Sequence, residues 1–247
     1  MQRKESFLHC GKGQGEPKLE FLNDFITKMD YVGVLMPVML QGLWMTAKLF
    51  IWTLVLSIPL GLVFTLGTIG RIPPIRWICK AYIFVFRGTP LLLQLFFFYF
   101  FLPISFNIQL PVFTTAVLTF VLNYAAYLAE IYRGGIQSIE RGQYEAAYSL
   151  GLSHSRTMFK IIIPQTVSRV LPAVTNEAII LVKDTALVSA IGVAELLKVA
   201  KQSVSRDVDT TAFLIAAVMY LVFTFVLTLL SSYLEKKFSK HQQRVRG

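Results

Sequence analysis

The chain has 247 residues, 55% of them hydrophobic and 15% charged, with 24 Lys and Arg against 14 Asp and Glu for a net charge of +10. That apolar excess is more than a soluble core of this length needs and points to an integral membrane protein. The cations lie scattered between apolar runs, which excludes a single basic face for nucleic acid, and Cys10 and Cys79 are too far apart to suggest a disulfide framework or a metal site.

Residues 1–30 are polar and mixed in charge, without the apolar core of a signal peptide. They are expected to form a flexible extracytoplasmic tail. Gly11-Lys12-Gly13-Gln14-Gly15 has the glycines of a phosphate loop. It has no preceding strand, however, and Gly13 stands where Ser or Thr would follow the lysine. No nucleotide site is expected on this chain, and no catalytic residues.

The main domain is expected over 31–240. Tyr31–Leu40 is apolar but short, and Pro37 marks it as an interfacial lead-in. Leu49–Leu66 carries no charge and forms the core of a first span over about 43–67, with Lys48 snorkelling at its start. A basic linker with Pro73-Pro74 leads to a second span over about 81–104, which Pro90 should kink. Arg87, a turn or two inside it, belongs near the interface or in a wet groove. A third span covers about 112–132, ending near Glu130 and Arg133, which read as an interface ion pair. Residues 133–169 are too polar to cross and form a loop of two short helices, Glu145–Leu152 and Ser155–Ile163. Gly151 lies near their bend, and Ser153 or Ser155 serves as a cap. The fourth span, about 170–197, contains Asn176, Glu177, Lys183 and Asp184, and the fifth, about 213–234, has no charge. A basic tail over 241–247 ends the chain. The expected fold is therefore an all-α membrane protein with about five transmembrane helices.

Orientation follows from the linkers. On one side lie Arg71, Arg76, Lys80 and Arg87, then the cations of 133–169, then Lys236, Lys237 and Lys240, faced only by Glu140, Glu145 and Glu235. On the other side cations and acids balance. The basic side should be the cytoplasm, with the amino terminus outside and the carboxyl terminus inside.

The polar loop holds the most informative stretch. Glu145-Ala146-Ala147 favours a helix with a small-residue face, Gly151 permits a sharp turn, Ile161–Ile163 is apolar, and Pro164 closes the patch. Taken alone, this suits an amphipathic helix on the membrane surface. Its pattern resembles the EAA loop of permease subunits of bacterial ATP-binding-cassette importers. Glu145, Ala146, Ala147, Gly151, Ile161 and Pro164 fall at the motif positions, and Ile163 replaces the usual Leu. Arg87-Gly88-Thr89-Pro90-Leu91-Leu92 with Gln94, and Val182–Ser189 followed by Ile191-Gly192-Val193, resemble signatures of the polar amino acid subfamily, with Ala186 replacing the usual Ser. The resemblance spans about 38–240 and implies a type I importer fold in the bacterial inner membrane. It implies a coupling helix that docks on a separate ATPase dimer, which carries the ATP and Mg. It also implies a second permease subunit, an extracytoplasmic substrate-binding protein and an amino acid as cargo.

Within the fourth span, Glu177 and Asp184 share one helical stripe. Asn176 and Lys183 share the next, and Thr185 and Ser189 lie on another. Charges at this depth should face the bundle interior. One reading pairs Lys183 with Glu177 or Asp184 for structure alone. The other makes a polar path, where Asp184 holds an ammonium or a cationic side chain while Thr185 and Ser189 offer hydroxyls. A stand-alone secondary transporter or channel that uses this charged span is the competing function.

Overall fold

The computed structural model describes the backbone of residues 16–246 and the side chains of residues 29–238, and within these limits the chain is helical, without a strand. The Gly11–Gly15 run lies outside the described residues, as do the side chains of the 241–247 tail. Helix α1 spans Glu16–Ile69, α2 Pro73–Gly88, α3 Leu91–Phe96, α4 Leu102–Phe106 and α5 Val112–Gln137. The short helices α6 (Arg141–Ser149) and α7 (His154–Thr157) follow, then α8 (Ile163–Asp184), α9 (Leu196–Asp207) and α10 (Thr211–Arg246).

Three stretches are long and apolar enough to cross a membrane: Met29–Ile69, Val112–Gln137 and Thr211–Phe238. A fourth is made of two pieces, Pro73–Gly88 and Leu91–Phe106, bent by 107° at their junction. Helix α8, with 22 residues, reaches about 33 Å. It is less apolar because it carries Arg169, Asn176, Glu177, Lys183 and Asp184.

Four sequence expectations change here. Tyr31–Leu40 is not a separate lead-in, because α1 runs through Pro37 without a break and begins at Glu16, inside the expected tail. Proline removes one donor, but Leu35 and Met39 are buried against Leu196, Ala200, Ala212 and Ala216. Packing thus holds the turn that propensity would open. The second span is broken rather than kinked, with Thr89 and Pro90 both extended. The fourth apolar run is not one helix: α8 stops at Asp184, a 3₁₀ segment covers Thr185–Ile191, and Gly192 turns the chain with φ +92. Finally, Pro164 does not end a helix. It lies in the first turn of α8, immediately after a π-helical turn over Met158–Ile162. Pro103 follows a second π-turn, Phe97–Phe101, in the same way. A proline ring clashes with the carbonyl four residues back, and the wider π-turn moves that carbonyl away.

Long helices meet through small residues. A Cβ on Gly61 would come within 2.9 Å of Leu128 Cβ and 3.2 Å of Ala125 O, so α1 and α5 touch almost backbone to backbone. Thr65 donates to Ala129 O at 3.0 Å across the same contact. This close approach is how helices associate where lipid removes the hydrophobic driving force. The main core lies between α1, α5 and the α8–Gly192 region, around Leu49, Phe120, Leu181 and Val188. The lipid-type surface of α10 stays exposed at Leu221, Phe225 and Leu229.

Candidate functional site

Two places carry chemistry. The first is a cavity of about 480 Å³ at the α2–α3 break, walled by Arg87, Gly88, Thr89 and Pro90, by Asn123, Tyr124 and Tyr127 of α5, and by Glu177, Ile180 and Asp184 of α8. Breaking a helix frees carbonyls that must find donors. Gln94 supplies them: the two hydrogens of its Nε2 are shared among Phe86 O at 2.9 Å, Thr89 O at 3.1 Å and Thr89 Oγ1 at 2.7 Å. Asn123 Nδ2 donates to Phe86 O at 3.1 Å and to Gln94 Oε1 at 2.9 Å. The bend is thus fixed by two buried amides, and its open side faces the carboxylates of α8.

Tyr124 donates its hydroxyl to Asp184 Oδ2 at 2.7 Å. Glu177, seven residues earlier, lines the same cavity, so the shared stripe expected from spacing is present. Arg87 lies over the Tyr127 ring at 5.5 Å and 4.0 Å from Glu130 Oε1. Glu130 is held by Arg133, which also donates to Gln137, so the expected ion pair forms near the end of α5. Beyond Arg87 a larger groove of about 870 Å³ opens between the end of α1, α2 and the end of α5.

The other fourth-span candidates lie elsewhere. Thr185 is fully buried and donates to Val182 O at 2.6 Å. Ser189 is buried and meets Lys201 Nζ at 3.4 Å. Neither residue lines the cavity; both lie on a different side of the chain from Glu177 and Asp184. Lys183 is exposed, and among the described residues it makes no ion pair with Glu177 or Asp184.

The second place is the α6–α7 element. Its turn is a Schellman cap: Leu152 N donates to Ala147 O at 3.1 Å and Gly151 N to Tyr148 O at 2.9 Å, with Gly151 at φ +72. Nothing lies within 4 Å of a Cβ built on Gly151, so this glycine serves the backbone conformation and not close packing within the chain. Ala147 is buried, Glu145, Ala146 and Pro164 are exposed, and Ile161 is half-buried. Leu150 is 80% exposed and Phe159 72%. Tyr148, also exposed, meets His154 Nδ1 at 3.0 Å across the turn. Leu150 thus stands exposed on a capped, ordered turn.

Several functional groups had weaker sequence signals. Asn123 and Tyr124 are polar residues inside a charge-free run, and that alone could have marked them. Glu195 is fully buried; it caps α9 by accepting from Leu197 N at 2.8 Å and Lys198 N at 2.6 Å, and it takes the Tyr220 hydroxyl at 2.7 Å. Leu196 N donates to Thr46 Oγ1 at 3.2 Å, so α1, α9 and α10 meet at this point.

Known proteins resemble this chain over most of its length. The L-cystine transport system permease protein TcyB of Bacillus subtilis (strain 168) is 36% identical over 207 residues, covering 83% of this chain and 88% of its own. The arginine transport system permease protein ArtQ of the same organism is 37% identical over 202 residues, covering 81% and 92%. A chain in the crystal structure of an amino acid ABC transporter with histidines superposes with a TM-score of 0.79 at 38% identity, covering 86% of this chain and 98% of that one. The family model described as the binding-protein-dependent transport system inner membrane component matches residues 57–240, and this multi-pass membrane chain belongs to that family.

Proposed function

We propose that this chain is the permease subunit of an ATP-driven amino acid importer, coupled to a separate ATPase through α6 and α7. The observation that carries the reading is Leu150, exposed at the turn fixed by Gly151, with Phe159 exposed on the π-turn that follows α7. The turn belongs to a polar segment that directly follows a membrane span and is expected on the cytoplasmic side. A cleft on an ATPase subunit would cover Leu150, and Ala146 would let the helix seat closely. Glu145, Ala147, Ile161 and Pro164 shape and support the element. ATP and Mg belong to that partner.

Two permease subunits, identical or homologous, would enclose the path between them, and two ATPase subunits would bind their inner faces. An extracytoplasmic binding protein would deliver cargo on the side of the amino terminus. The ATPase dimer binds one permease conformation better than the other, so its closure shifts the equilibrium outward and hydrolysis resets it. The cavity at the α2–α3 break is the path segment with the chemistry for an amino acid. Glu177 and Asp184 hold an ammonium, and the Arg87–Pro90 turn fixes the wall opposite. Relatives at similar identity are named for cystine and for arginine, so likeness alone does not select the cargo.

The test is co-purification. The chain and its ATPase, expressed together, should elute as one complex, and Leu150→Asp should release the ATPase while the chain stays in the membrane. An unchanged complex with Leu150→Asp and Phe159→Asp combined would remove the docking role.

A further inference from the structure

The larger groove is unlike the cavity above it. On α2, Arg76, Lys80 and Arg87 line it, and Arg133 faces them from α5; the carboxylate in its wall is Glu130, already held by Arg133. Arg76, Lys80, Ile83 and Arg87 are spaced four, three and four apart, so they form one stripe along α2. From Arg76 to Arg87 the stripe runs about 16 Å. Its mouth is the end of the molecule where α1 stops at Ile69 and α5 stops at Gln137, the end from which α6 continues. A groove of this charge attracts an anion.

The surface beside it says which anion. Trp77 and Phe84 are seven residues apart and lie about a quarter turn around α2 from the cationic stripe. They are 72% and 79% exposed, and Phe84 forms part of the groove wall. A soluble anion needs the cations alone. An amphiphile needs both: cations for its head and an adjoining apolar, aromatic face for its tails. Tryptophan at the end of a span beside arginine and lysine is also where interfacial anchors are found.

We infer that the groove between the end of α1, α2 and the end of α5 binds the phosphodiester headgroup of an anionic phospholipid. Arg76 and Lys80 hold the phosphate at the mouth, Arg133 faces it, and the acyl chains lie along Trp77 and Phe84. The site does not depend on the transport reading, because its ligand is a membrane component and not the cargo.

The test is a lipid titration of the purified full chain in nonionic detergent, read by native mass spectrometry. Phosphatidylglycerol and phosphatidylcholine with identical tails are the probes, and inorganic phosphate is the competitor. The chain should retain one phosphatidylglycerol in preference to phosphatidylcholine. Arg76→Gln with Lys80→Gln should weaken that retention about thirtyfold, from the attraction of each cation near a membrane surface. Both residues are exposed, so the fold should survive their replacement. Lys236→Gln with Lys237→Gln removes the same charge from an exposed stretch of α10 and should leave retention unchanged. Equal retention of the two lipids, or equal loss in the two double variants, would overturn the site. So would displacement of the lipid by millimolar inorganic phosphate, which marks a soluble-anion site. A changed oligomer mass with unchanged lipid would overturn it as well, and would give the groove to a second copy.

Discussion

The bend at Arg87–Pro90 and the turn at Gly151 are both breaks between helices, yet they are completed in opposite ways. At the bend the freed polar groups are answered inside the chain by Gln94 and Asn123, and Asp184 is held by Tyr124. At the turn the backbone is also satisfied, but Leu150, and Phe159 beyond α7, are left exposed. The first site is closed within the chain; the second, on the proposed reading, is completed by a partner. Lesions at the first should therefore appear as stability and cargo handling, and lesions at the second as lost partnership in an otherwise sound protein.

The largest effect should come from the turn. Gly151→Asp places a side chain on a left-handed backbone, at a cost of about 1–2 kcal/mol, and a carboxylate beside Leu150. It should cut uptake at least tenfold and release the ATPase, while membrane insertion, followed by fractionation, stays normal. Glu145→Lys should act in the same direction. Normal ATPase co-purification and normal uptake in both would erase the distinction between the two sites.

The bend should respond in the converse way. Gln94→Leu strands the carbonyl of Thr89, leaves Phe86 O to Asn123 alone, and removes one of the two acceptors of Asn123. A buried unsatisfied group costs about 1–3 kcal/mol, so the thermal midpoint in detergent should fall by several degrees while the ATPase remains bound. In the cavity, Asp184→Ala should lower uptake more than Thr185→Val, since Thr185 is buried away from the cavity. Equal effects would make the polar face structural.

How much of this was legible beforehand differs between the two sites for a physical reason. The EAA pattern is local, so two short helices with Gly151 near their bend can be read from the sequence, but the first runs Arg141–Ser149 rather than Glu145–Leu152, and the second passes through a π-turn into α8 rather than ending at Ile163. The exposure of Leu150 and Phe159 has no local signal, because it is decided by the rest of the fold. At the bend, spacing placed Glu177 and Asp184 together, but it assumed a helix that continued to Leu197. The 3₁₀ segment from Thr185 and the left-handed Gly192 depend on packing against α1 and on the buried Glu195. The cost of Pro37 is local and visible in the sequence, whereas the burial of Leu35 and Met39 that offsets it involves α9 and α10. The two prolines that follow π-turns, Pro103 and Pro164, carry no local mark of that compensation.

A smaller contrast lies at the far end of α9, where Tyr31 of α1 donates to Asp207 at 2.6 Å and Arg206 pairs with the same carboxylate. Arg206 first, and then Tyr31, lower the Asp207 pKa to about 2. A carboxyl lowered on folding contributes stability above its unfolded value of about 3.9 and loses it as pH falls towards about 2. The difference in thermal midpoint between the parent and Tyr31→Phe should therefore be small and flat from neutral pH to about pH 5, and should shrink below about pH 4. A difference that appears only near neutrality would assign the contact to another group.

The central claim is tested most directly by uptake into proteoliposomes holding this chain with its ATPase and binding protein. Accumulation of a labelled amino acid should require ATP and disappear when the ATPase is omitted. Uptake by the chain alone, driven by an ion gradient, would contradict it.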